Sequence, residues 1–265
     1  MRVLLTGAAG SIGQVVSVGL ADRGHRVIGL DRVVEPEGFD GPWHSVDCAD
    51  PDAVVSVFEA ESPEAVVHLA GHPDEASLPD SLTSHAVTTA ALLDAMVEHD
   101  VHRIVYASSN HAVGRTARTE SLTTAVRPRP DTFYGVGKVA AEALLSLYAD
   151  RYGIDAISCR IGSFLAHPET TRHLSTWLSH DDGVRMVDAA LTASAPGYAV
   201  LYGISANTRG WWDLEPGRRL GYEPQDDAEQ FADRIDRRRE DEVEAAHVGG
   251  PFVTESFWRP ALDRS

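Results

Sequence analysis

The chain has 265 residues, 43% of them hydrophobic, which is enough for one large α/β unit with a sizeable core. Forty acidic side chains against 23 basic ones give a net charge of −17, a field that repels phosphate and argues against nucleic acid or an anionic membrane as partner. Two cysteines, Cys48 and Cys159, exclude a disulfide framework, and no apolar run approaches the roughly 18–20 residues of a membrane span.

The first residues, Met1 to Gly7, do not read as a signal peptide, so a cytoplasmic location is expected by default. Of the 23 basic residues all but Lys138 are arginine. An acidic, lysine-poor surface suits a salt-adapted protein, although a GC-rich codon supply favours arginine equally.

In chain order, short apolar runs at Val3–Leu5, Val27–Leu30, Ala65–Leu69, Arg103–Ala107 and Ala156–Arg160 read as buried parallel strands. Helical stretches at Ser11–Arg23, Pro51–Ala60, Ser84–His99 and Tyr134–Tyr152 alternate with them. The expected fold is α/β, a Rossmann-like doubly wound parallel sheet formed by one domain over residues 1–265, with residues from about 161 contributing a small substrate lobe. There Asp181 and Asp182 read as the cap of a helix reaching Ala193, and Ala199–Ile204 as a further strand. Arg237, Arg238 and Arg239, set among acidic residues, read as a salt-bridged helix face. Trp211 and Trp212 read as packing, and the twelve histidines lack metal-ligand spacing.

The first strand runs into Thr6-Gly7-Ala8-Ala9-Gly10-Ser11-Ile12-Gly13 and then into a helix. Such a glycine trio allows a tight turn, close backbone approach to a pyrophosphate, and close helix–strand packing, while the helix start offers free N–H groups. Asp31, 24 positions after Gly7, stands where a carboxylate would accept from the adenosine ribose hydroxyls and repel a 2′-phosphate, favouring NAD over NADP. Arg32 is the counter-argument, since an arginine can receive that phosphate. Asp47 with Cys48, the small residues of Leu69-Ala70-Gly71, and Ile161 complete the expected cofactor wall.

Tyr134-Gly135-Val136-Gly137-Lys138 sets a phenol and an ammonium four residues apart on one helix face. A nearby cation favours the phenolate of a group whose pKa is ordinarily about 10. Wherever else the chain needs a positive charge it uses arginine, whereas an ammonium is compact enough to sit near a phenol and a ribose. Ser109, 25 residues earlier at a strand end, can hold the reacting oxygen.

Taken together, TGAAGSIG, YASSNH and YGVGK resemble the extended short-chain dehydrogenase/reductase superfamily. RIGS (160–163), LSTWLSHDD (174–182), GISAN (203–207) and GWWD (210–213) resemble the uronate dehydrogenases. That resemblance implies NAD-dependent oxidation of C1 of D-glucuronate or D-galacturonate to the aldarolactone. It assigns catalysis to Ser109, Tyr134 and Lys138, and sugar-acid binding to Ser109, Asn110, His111, Tyr134, Ser163 and Arg172. The implied partner is a small sugar acid, with a homo-oligomer expected. His72-Pro73 departs from the small polar residue expected there. Arg115 and Arg118 could meet a second anion, the alternative being surface salt bridges. Three other readings stand: an NAD-dependent glucose-6-phosphate dehydrogenase, a nucleotide-sugar epimerase or dehydratase, and a non-enzymatic NAD sensor.

Overall fold

A computed structural model describes residues 1–119 and 121–262. The alternating pattern folds as the sequence predicts, into strands β1 (Arg2–Thr6), β2 (Arg26–Asp31), β3 (Trp43–Ser45), β4 (Ala65–His68), β5 (Arg103–Ser109) and β6 (Asp155–Ile161). Helices α1 (Ser11–Asp22), α2 (Pro51–Glu61), α3 (Leu78–Leu82), α4 (Thr88–Glu98) and α5 (Phe133–Tyr152) lie between them. Beyond come β7 (Ser163–Phe164), α6 (His173–Thr176), β8 (Trp177–Leu178), α7 (His180–Thr192) and β9 (Tyr198–Gly203). Seven strands form one parallel sheet in the order β3-β2-β1-β4-β5-β6-β9, and β7 pairs with β8 separately. The order reverses between β1 and β4, and a crevice at such a point is where doubly wound sheets take their ligands.

Each sheet face has its own core. Leu5, Val16, Leu20, Val67 and Val187 join α1 and α7 to one face. On the other, Leu4, Phe58, Leu92, Ile104 and Leu145 join α2, α4 and α5. Trp211 and Trp212 stack with ring centroids 4.0 Å apart inside a third apolar cluster with Tyr202 and Ile204, so they are packing.

The differences from the sequence reading lie at element ends. The edge strand β3 is only three residues long and was not anticipated. The helix expected from Ser84 begins at Leu78 and passes through a π turn at Thr83–Val87 before α4, which seats the buried His85. Strand β5 runs two residues further than expected and carries Ser109 at its end. The cap of α7 is Ser179, whose hydroxyl accepts from the Asp182 N–H at 2.9 Å, and not the acidic pair. Asp182 instead lies inside the first turn and binds Arg185 at 2.6 Å, which also suits the helix dipole. The arginine run is not helical. Arg238 pairs with Asp241 and Glu244, whereas no ion pair joins Arg237 or Arg239 to any described residue.

Helix α5 is locked to the sheet by one buried ion pair. Glu142 accepts from Arg160 Nε at 2.9 Å and Nη2 at 2.8 Å, and from the Ser108 hydroxyl at 2.5 Å. Glu142→Ala should cost about 3–5 kcal/mol, because it strands the Arg160 guanidinium in the interior. A Glu142→Met/Arg160→Leu double variant should lose much less in urea titrations. Burial also pushes His68 down to about 3, His85 to about 2 and His173 to about 4. The unfolded chain takes up these protons near 6.5, so stability is complete above that pH and is lost as pH falls. The loss should be about 1.4 kcal/mol per pH unit for each histidine. Urea midpoints that stay level between pH 7.5 and 5 would refute this.

Candidate active site

The glycine loop after β1 turns where only glycine fits. Gly7 has φ +69°, and a Cβ there would lie 2.7 Å from the Ala70 nitrogen. A Cβ on Gly13 would lie 2.2 Å from the Gly7 carbonyl, so α1 rests directly on the loop. Gly7, Gly10, Asp31, Arg32, Asp47, Cys48, Leu69, Ala70 and Gly71 all line one cleft of about 620 Å³ at the switch point. Asp31 Oδ2 accepts from the Ala9 N–H at 3.0 Å, which fixes the carboxylate at the cleft's edge. Ser11 and Ile12 stand at the head of α1, where the first N–H groups have no helical partner. Ile161 is not in the lining of this cleft: its side chain packs in the core, and its neighbour Gly162 lines the pocket beside Tyr134. Burial pushes the Cys48 thiol up to about 12, so it serves as an apolar surface of the cleft.

Tyr134 sits in the first turn of α5, and every free N–H there is satisfied. Thr132 accepts from Gly135 at 3.0 Å, while the Glu75 carboxylate accepts from Phe133 at 2.9 Å and Tyr134 at 3.0 Å. Burial pushes the Tyr134 phenol up to about 12, and the charges of Asp131 and Asp74 act in the same direction. A hydrogen bond with Ser109 opposes them. Lys138 lies one turn on, with Nζ 5.4 Å from the Tyr134 ring centre and donating to the Ala107 carbonyl at 2.6 Å. Burial lowers its ammonium to about 7 against the opposing charge of Glu142. His85 meets the Tyr134 ring edge-on, centroids 5.1 Å apart, and gains its space from Gly137, whose Cβ would lie 2.9 Å from the imidazole.

Two adjoining pockets open from this point. Ser109, His111 and Tyr134 line one of about 190 Å³. Asn110, His111, Ser163 and Arg172 line the other, of about 360 Å³, and His111, Gly162 and Phe252 belong to both. All six residues named for the sugar acid therefore line two adjoining pockets that share the wall of His111, Gly162 and Phe252. The His111 Nδ1 lies 2.8 Å from Asp131, whose side chain is fully buried, so the ring is oriented with Nε2 free of that bond. Arg172 donates to Ser163 Oγ at 3.4 Å and to the Val248 carbonyl at 2.9 Å, and forms no ion pair with any described residue. Burial lowers its guanidinium to about 10.

Three contributors escaped the sequence reading. Glu75 carried no signal, lying in a loop 59 residues before the tyrosine it holds. Phe252, edge-on to His111 with ring centroids 4.5 Å apart, arrives on a short helical turn at Gly250–Val253, well after the last strand. Asp131 could have been suspected from its place beside the Thr132 cap. Arg115 and Arg118 form no salt bridge with any described residue, and only Arg118 lines the small pocket beside Trp211. Arg115 donates to the Val253 carbonyl at 2.8 Å, and Arg118 lies over the Trp211 ring at 5.5 Å.

Residues 3–181 match the model of the NAD dependent epimerase/dehydratase family. The chain is 35% identical to a uronate dehydrogenase of Pseudomonas syringae pv. tomato, over 95% of this chain and 93% of that one. It is 32% identical to an NAD-dependent glucose-6-phosphate dehydrogenase of Haloferax volcanii, over 86% and 95%. Among solved structures, a mutant uronate dehydrogenase from Agrobacterium tumefaciens complexed with NAD superposes with a TM-score of 0.90 at 34% identity, covering 99% of both chains. With the site geometry and these likenesses in agreement, the chain belongs to the NAD-dependent epimerase/dehydratase family, on its uronate dehydrogenase branch.

Proposed function

We propose that this protein oxidises the C1 hydroxyl of a hexuronic acid, D-glucuronate or D-galacturonate, to the aldarolactone with NAD as cofactor. The observation that carries the substrate class is Arg172, a part-buried guanidinium that lines the pocket, forms no ion pair with any described residue and leaves its Nε without a hydrogen-bond partner. The charges of Glu244 and Asp131 favour its ionised form without forming an ion pair with it, and a uronate carboxylate supplies the bidentate partner it lacks. The pocket also contains Arg238, but that side chain is committed to Asp241 and Glu244. One uncommitted guanidinium suits a carboxylate better than a sugar phosphate, and Arg115, bound to the Val253 carbonyl, offers no second one.

The cleft fits a dinucleotide, because the Gly7–Ala70 approach leaves no side chain in its floor and Asp31 offers a fixed acceptor to ribose hydroxyls. When bound there, NAD supplies the hydride acceptor and a positive charge beside the phenol. Ser109 and Tyr134 hold the C1 oxygen between them, and the Tyr134 phenolate takes its proton. Lys138 stabilises that phenolate by its charge and donates to the cofactor ribose. His111, oriented by Asp131, and Asn110 receive ring hydroxyls, while Arg172 and Ser163 hold the carboxylate at the far end.

The purified protein should form NADH from glucuronate or galacturonate, and glucose 6-phosphate should be a far poorer substrate. Tyr134→Phe should lower kcat at least a hundredfold with NAD affinity retained; full activity in that variant would sink the assignment. Arg172→Ala should raise KM for the uronate far more than it lowers kcat on a neutral aldose. Because oxidation needs the deprotonated phenol, the rate should climb with pH. Ser109→Ala removes a bond that lowers the Tyr134 pKa, so the rising limb should move to higher pH.

A further inference from the structure

The reacting end of the pocket carries a negative charge that the proton chemistry does not use. Among the described residues, the only carboxylate lining the space that holds Ser109 and Tyr134 belongs to Glu75. Its two oxygens accept from the Phe133 and Tyr134 N–H groups at 2.9 and 3.0 Å. Each carboxylate oxygen has two lone pairs, so these bonds fix the group without exhausting its capacity. The helix N-terminus also stabilises its charge. Asp131 is turned towards His111 and Thr132, and Asp74 does not reach the wall. Arg259 approaches from outside and donates to the Glu75 backbone carbonyl at 3.4 Å.

Arg172 lies in the adjoining pocket, beyond the shared wall of His111, Gly162 and Phe252. Of the charged groups lining that second pocket, Arg238 and Glu244 are paired with each other, so the two adjoining pockets present an anion at the end where C1 reacts and the Arg172 cation at the end where the sugar's own carboxylate is held. Resting on the uronate reading, we infer that Glu75 is a specificity-determining residue that reads charge at C1. It accepts substrates that are neutral there and rejects molecules that carry a carboxylate there.

Two consequences follow from the chemistry of the reaction. A uronate entering the wrong way round sets its carboxylate against Glu75 and leaves Arg172 unpartnered, so the productive orientation is favoured at both ends. The lactone product is neutral at C1, but water opens it to a dicarboxylate whose new charge lies at C1. Glu75 keeps that aldarate out of the site, so the accumulating end product competes poorly with fresh uronate.

The test is equilibrium binding to the NADH complex, which does not turn over uronate. Calorimetry gives the dissociation constants of galacturonate, charged at one end, and galactarate, charged at both. Their ratio is measured for the wild type, Glu75→Gln, Glu75→Ser and Glu75→Asp. In the wild type galactarate should bind much more weakly than galacturonate. Either neutral variant should narrow that gap on the order of tenfold, as expected when one unit charge lining the pocket is removed. Glu75→Asp, which keeps the charge, should preserve the gap. A residue that only capped α5 would weaken both ligands alike and leave the ratio unmoved, and that result would overturn the inference. The two neutral variants guard against one failing to fold. A wild type that binds neither ligand and oxidises no uronate would instead refute the functional reading, an outcome distinct from an unmoved ratio.

Discussion

Tyr134 and Lys138 can face the cofactor cleft only because the helix that carries them is fixed in rotation about its axis. Glu142, one turn beyond Lys138, fixes it by meeting Arg160 on β6 and Ser108 on β5 in the protein interior. Tyr134, Lys138 and Glu142 stand four residues apart, so a helix turned enough to release the ion pair would also withdraw the phenol and the ammonium from the crevice. The pair is an expensive device for stability and a good one for register, since a buried carboxylate tolerates few positions. The N-terminus of the same helix is held by Glu75 and Thr132. A carboxylate at its start and another at its middle thus set the orientation of the turns between them.

This arrangement explains the electrostatic character of the site. Burial works against both ionisations at the reacting centre, raising the phenol and lowering the ammonium. The surrounding carboxylates divide between these two groups: Asp131 and Asp74 disfavour the phenolate, whereas Glu142 favours the ammonium. A second positive charge brought beside the phenol therefore has a large effect on it, and base strength becomes coupled to occupation of the cleft.

What the sequence could disclose follows the range of each interaction. The β–α alternation, the glycine loop and the Tyr–Lys spacing are local patterns, legible because strand and helix periods and the steric limits on glycine act over a few residues. The seven-stranded parallel sheet and the position of Ser109 at a strand end follow from them. The π turn around His85 was not legible, because it depends on space left by Gly71 and Gly137 on separate segments. Glu75, Phe252 and the His111–Asp131 contact became visible only once distant segments were folded together. The error over the α7 cap has a local cause: Ser179 and the acidic pair are adjacent, and all are good caps, so composition alone could not rank them.

The segment carrying Val248 and Phe252 divides the labour of the chain unevenly. The lining of the switch-point cleft is complete by Thr88, and the Tyr134–Lys138 pair by residue 138. The sugar pocket alone waits for a stretch nearly eighty residues beyond Arg172, whose Val248 carbonyl aims that guanidinium and whose Phe252 closes the wall against His111. Substitutions in this stretch can therefore remodel the pocket around Arg172 and His111 while the Tyr134–Lys138 pair stays untouched. Substrate choice in such a chain can drift on its own, without disturbing the oxidation that every version would share.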